Sequence, residues 1–74
     1  MAIYHCYLLG ADGFFELCEE IDCDSDRAAI ALGAEILVAR ARYPAYEVWR
    51  CGRRIHAGRR EALALTTSRT RGVA

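Results

Sequence analysis

The chain has no lysine, and all ten of its basic residues are arginine. No apolar run approaches the ~18 residues of a membrane span, so membrane insertion is not expected. The opening MAIYHCYLLGADG has neither a basic region nor a small-residue cleavage site, so export is not expected either. That places the four cysteines (Cys6, Cys18, Cys23, Cys51) in a reducing, bacterial-type cytoplasmic compartment, as free thiols rather than a disulfide framework. Structural zinc usually takes ligands from closely spaced pairs such as C-x-x-C, and the sequence has none; its nearest pair, Cys18 and Cys23, straddles a strand end. No metal and no cofactor are therefore expected.

Catalytic arrangements are equally scarce. No glycine-rich loop precedes the helix, and the acidic CDSD that does precede it repels phosphate. No cysteine–histidine or serine–histidine arrangement can be placed within reach, and no convergent constellation of titratable groups emerges. The chain is read as non-enzymatic. His5 and Glu20 are expected as an exposed cross-strand pair, worth little.

What is present is apolar surface and a lopsided charge. The chain has 74 residues, of which 54% are apolar, and so short a chain cannot bury them all. Association is the expected consequence. Net charge is zero, but seven acids (Asp12, Glu16, Glu19, Glu20, Asp22, Asp24, Asp26) fall in residues 1–26. All ten arginines and three acids (Glu35, Glu47, Glu61) fall in residues 27–74. The halves can complement one another within a fold or between subunits.

IYHCYLL (3–9) is β-branched and aromatic, as a strand requires. Asp12-Gly13 suits a tight hairpin turn, after which FFELCEEID (14–22) returns. A two-residue turn puts Tyr7 opposite Cys18 and Tyr4 opposite Ile21. Tyr4, Cys6, Leu8, Phe15, Leu17 and Ile21 then share an inner face, with Glu19 as its misfit. Ile3, His5, Tyr7, Leu9, Glu16, Cys18 and Glu20 take the outer face. A three-residue loop would instead bring Cys6 opposite Cys18.

Asp24 or Ser25 caps a helix, and Asp26 adds a favourable charge at its start. Ala29, Ile30, Gly33, Ile36, Leu37 and Ala41 form its apolar stripe. Gly33, near the centre, points to a close approach between helix and sheet, since a mid-helix glycine costs ~1 kcal/mol. Pro44 disfavours helical geometry before it and ends the helix by about Arg42.

YEVWRC (ending at residue 51) forms the third strand and RRIHA (53–57) the fourth, turning at Gly52. Val48, Ile55, Tyr46 and Ala57 are expected inward, and Glu47, Trp49, Cys51, Arg54 and His56 outward. The order is ββαββ, an α+β two-layer sandwich. A right-handed crossover gives a four-stranded antiparallel sheet in the order 2-1-3-4 with one helix on one face. Residues 1–58 are expected as the single domain, and 59–74 as an arginine-rich, largely disordered tail.

The helix leaves one sheet face open, and a second copy or another protein partner is expected to cover it. Tyr7, Leu9, Trp49, Arg54 and His56 are the expected contact residues. Tryptophan, tyrosine and arginine are the types favoured at interface centres. The alternative is RNA or single-stranded nucleic acid, with bases stacked on those aromatics and phosphates on Arg50, Arg53, Arg59 and Arg60. Zero net charge and the acids Glu16, Glu20 and Glu47 on the same face weigh against it. An arginine-rich edge hairpin also has a plain structural use, since like charges discourage edge-to-edge aggregation.

The pattern I3-Y4-x-C6-Y7-x-L9, with D12-G13, E19-E20-I21, D24-S-D26, Y46-E47-x-W49 and R54-I55-H56, resembles a group of short uncharacterised alphaproteobacterial proteins. These are domains of unknown function that open with an aromatic strand and an Asp-Gly turn. The resemblance covers roughly residues 2–57. It implies a small cytosolic ββαββ domain with no activity, and it transfers no functional residue.

Overall fold

Ala2–Leu9, apolar on both faces, takes an inner lane of the sheet, where neighbours on both sides satisfy its backbone. In the computed structural model, which describes residues 2–61, this strand (β1) lies between β2 (Phe15–Cys23) and β3 (Ala45–Arg50). The fourth strand, β4 (Arg53–Arg59), pairs with β3. All neighbours are antiparallel in the order β2-β1-β3-β4, with the single helix α1 (Asp26–Ala39) between β2 and β3 in the chain. The ββαββ architecture and strand order are those the sequence implies.

Helix and sheet meet along Ala29, Gly33 and Leu37, all buried. Against them lie Tyr4, Cys6, Leu8, Ile21, Cys23, Tyr46 and Val48, and Tyr43 closes one end. Gly33 does permit close approach: a Cβ there would sit 2.9 Å from Val48 Cγ2 and 3.1 Å from Tyr46 Cε2. Ser25 caps the helix, its Oγ accepting from the Ala28 amide at 3.1 Å. The helix stops at Ala39, before the expected Arg42, so Ala41 falls past its end and is exposed rather than part of the stripe.

Both hairpins carry a β-bulge that the alternating pattern does not announce. In the first, Gly13 donates to the Gly10 carbonyl (3.0 Å) and Gly10 to the Phe14 carbonyl (2.9 Å), closing a three-residue loop. Gly13 sits at φ +85°, the left-handed position such loops reserve for glycine. The Asp12 carboxylate accepts from the Phe14 amide and stiffens the tip. A bulge opposite Leu8 and Leu9 then restores the pairing Leu8–Leu17, Tyr7–Cys18 and Tyr4–Ile21. The strand register is thus the expected one, but the two-residue turn is not. Phe15, expected inside, instead stacks outside on Tyr7. Glu16 leaves the outer face and comes within 3.9 Å of Arg42.

The second hairpin turns through Cys51 (φ 51°) and Gly52 (φ 74°), both left-handed as a two-residue turn matched to strand twist demands. Trp49 pairs with Arg54, but the next pair is Val48–His56, leaving Ile55 as the bulged residue. His56 therefore rotates to the helix side and Ala57 to the open side, each the reverse of the expectation. β4 continues to Arg59, and Arg60 follows it into the fold, so the ordered unit passes the expected boundary at residue 58. The reading of 62–74 as disordered lies outside the described residues.

Candidate interaction face

The face opposite the helix is a grid set by the pairings. One row across the strands reads Glu20, His5, Trp49, Arg54; the next reads Cys18, Tyr7, Glu47, Ala57; a third reads Phe15, Leu9, Ala45, Arg59. Asp22 and Ile3 begin a fourth. Tyr7 is the hub, stacked on Phe15 at 4.5 Å between centroids and meeting Trp49 edge-on at 6.2 Å. His5 lies on its other side at 6.3 Å. Ile3 and Phe15 remain about half exposed, at 49% and 48%.

Three polar members of this face, Glu47, Trp49 and Arg54, are tied to one another. The Glu47 carboxylate accepts from Trp49 Nε1 at 2.9 Å and from Arg54 Nη1 at 3.4 Å. This holds the indole instead of leaving it to rotate, which lowers the entropy lost on contact. His5 Nε2 lies 3.9 Å from the Glu20 carboxylate, the exposed cross-strand pair expected from the sequence.

Of the expected contact residues, Tyr7, Leu9, Trp49 and Arg54 do share this surface. His56 does not: its Nε2 lies 3.1 Å from the Tyr46 hydroxyl on the helix side, where the Ile55 bulge carries it. Phe15 belongs to this surface, against the expectation that it faces the helix. The doublet Phe14-Phe15 was its only trace, since adjacent residues in a strand cannot both point inward.

The arginines disperse. Arg50 points to the helix side, 3.8 Å from Asp26 and over the Tyr4 ring, while Tyr4 donates its hydroxyl to the same carboxylate at 2.6 Å. That hydrogen bond, more than burial, holds the Tyr4 hydroxyl above its ordinary pKa. Arg60 turns inward to the end of α1, donating to the carbonyls of Leu37, Arg40 (2.6 Å) and Tyr43 (2.8 Å). The helix has no basic residue in its own last turn, and Arg60 supplies one from β4's end. Arg53 pairs with Arg50 and shares its helix side beside Asp26 and Ile55, so of these five arginines Arg54 and Arg59 stand on the open face.

The inward Glu19 resolves at the other edge: Arg40, just past the helix, reaches its carboxylate at 2.5 Å, both groups partly exposed. Cys6 and Cys23 are buried, whereas Cys18 and Cys51 are exposed. Burial, followed by the nearby Glu19 carboxylate and Cys18 thiol, pushes the Cys6 thiol up to about 11, so it stays protonated and behaves as a small apolar side chain. Among the described residues no three His, Cys, Asp or Glu side chains converge as metal ligands would, and no helix is long and apolar enough to cross a membrane.

No family model, curated protein or solved structure matches this chain.

Proposed function

We propose that the chain is a non-catalytic interaction module of the cytoplasm, pairing with a second copy through its open sheet face. One observation carries the reading. Tyr7, Phe15, Trp49, Leu9 and Ile3 form a continuous aromatic and aliphatic surface on the side the helix leaves bare. Water contact with such a surface is unfavourable by roughly 25 cal/mol for every Å² of apolar area. The Trp49 indole nitrogen already donates to Glu47 within the chain, so covering the face does not strand it.

Nucleic acid is the second reading, favoured by Arg54 and Arg59 beside an aromatic surface. It is weakened by the inward turn of Arg50 and Arg60 and by Glu20, Asp22 and Glu47 on the same face. A titration with mixed single-stranded oligonucleotides at two salt concentrations separates the two. Saturable binding with a steep salt slope supports the second reading; no binding at low salt removes it.

Light scattering on the full chain, on Phe15→Asp and on Trp49→Asp tests the first. The expected result is twice the chain mass for the wild type and the single-chain mass for both variants. Phe15 is half exposed, so its replacement leaves the core untouched. A wild type that remains monomeric at tens of micromolar, where weak specific pairs associate, overturns the proposal.

A further inference from the structure

The open face also determines how two copies would meet, an inference that rests on the pairing proposed above. Two sheets sharing their faces across a two-fold axis have two limiting arrangements. With the axis perpendicular to the strands, β2 lies over the partner's β2 and β4 over its β4. With the axis parallel to them, β2 lies over the partner's β4 and β1 over its β3.

The charges on the two edge strands distinguish these cases. On the open face β2 presents Glu20 and Asp22, and β4 presents Arg54 and Arg59. A perpendicular axis stacks acid on acid along one edge and arginine on arginine along the other. Like charges so placed are strongly unfavourable at a desolvating contact. A parallel axis sets each acidic edge over a basic one.

We propose that the two-fold axis of the pair runs parallel to the strands, making Glu20 of each copy the partner of Arg54 in the other. The grid supports this beyond the sign of the charges. A parallel axis maps each row onto its own reverse, so the row Glu20, His5, Trp49, Arg54 meets Arg54, Trp49, His5, Glu20. Both ends of the row become ion pairs, and His5 faces Trp49 twice. The third row places Phe15 against Arg59, a cation over an aromatic ring. Sheets packed face to face lie about 10 Å apart and cross at about −30°, which displaces the rim partners by about one residue. Long glutamate and arginine side chains span that offset. Arg54 spends only one of its donors on Glu47 and has others to offer.

Charge exchange tests the arrangement, because both side chains are well exposed (71% for Glu20, 56% for Arg54) and neither holds the core. Dimer dissociation constants are measured by sedimentation equilibrium at low salt for wild type, Glu20→Arg, Arg54→Glu and the double exchange. Each single exchange weakens the dimer by about tenfold or more, and the double exchange returns it to within about threefold of wild type. Mixing the two single variants yields a one-to-one heterodimer. Matched urea midpoints for all four proteins show that folding is intact. A wild-type dimer indifferent to the single exchanges, or a double exchange as weak as the singles, overturns the parallel axis while leaving face-to-face pairing in place. A monomeric wild type removes the pairing itself.

Discussion

Tyr46 is held between two residues that have no side chain. A Cβ on Gly58 would lie 2.4 Å from its ring Cε1 and 2.9 Å from its hydroxyl, while one on Gly33 would press the opposite edge at 3.1 Å. The ring is 2% exposed and cannot swing away without breaking the contact with His56. Gly58→Ala is therefore expected to cost about 1–3 kcal/mol by overpacking, although alanine normally suits a strand at least as well as glycine. Urea unfolding of the variant checks this; an unchanged midpoint would show that the clamp yields. Gly33 was recognisable in the sequence because a mid-helix glycine is costly and wants a reason. Gly58 was not, since it lay beyond the expected end of the strand and no partner for it could be named.

At the scale of elements, one side chain just past the last strand ties it to the end of the helix. Arg60 satisfies carbonyls that an α-helix leaves without partners at its C-terminus, from a position 20 residues further along the chain than Arg40. Arg60→Met keeps most of the stem and removes the donors. The expected outcome is a loss of about 1.5–3 kcal/mol, the usual range for hydrogen bonds to a charged group, with faster amide exchange over the last turn of α1. Exchange confined to β4 would show that the contact does not hold the helix.

The elements themselves were legible: strand order and a cap at Asp24 or Ser25 followed from periodicity and capping chemistry, while the Tyr4–Ile21 and Tyr7–Cys18 pairings hold because the bulge offsets the extra loop residue. The bulges were not. An extra residue shifts alternation by one without leaving a polar or apolar mark, and each hairpin hides one. That is why Phe15 and His56 exchanged faces with respect to their expected positions, while Tyr7, Leu9, Trp49 and Arg54, on the regular side of each bulge, did not. The role of Arg60 was hidden for a different reason. In sequence it is one of five arginines in VWRCGRRIHAGRR, and only the topology brings it to the helix end.

At the scale of the whole molecule, the titrating groups of the core set a limit on alkaline stability. Cys6 is raised from 9.0 to about 11 by burial first, and Tyr46 lies above 10.0 for the same leading reason. Tyr4 is raised chiefly by its hydrogen bond to Asp26. A folded-state pKa above the unfolded value means that the unfolded chain loses its proton first. The associated stability is complete below pH 9 and declines as the pH rises toward 11. Urea midpoints measured at fixed protein concentration from pH 8 to pH 11 should be level at first and then fall. Cys6→Ala should lower the plateau, through lost packing, and flatten the fall; an equally steep fall would assign it to the tyrosines.

The two bulges have a further consequence for how far assembly can go. An acidic edge strand and a basic one at opposite ends of the same sheet invite head-to-tail addition, copy after copy, without any closing step. A bulge in each edge strand interrupts the even spacing of amides and carbonyls and adds local twist, so neither edge offers a long straight template. The same extra residue that sends Phe15 outward thus disfavours the sideways route to fibres. In the proposed pair, attraction between copies is directed to a face that, once covered, has nothing left to add.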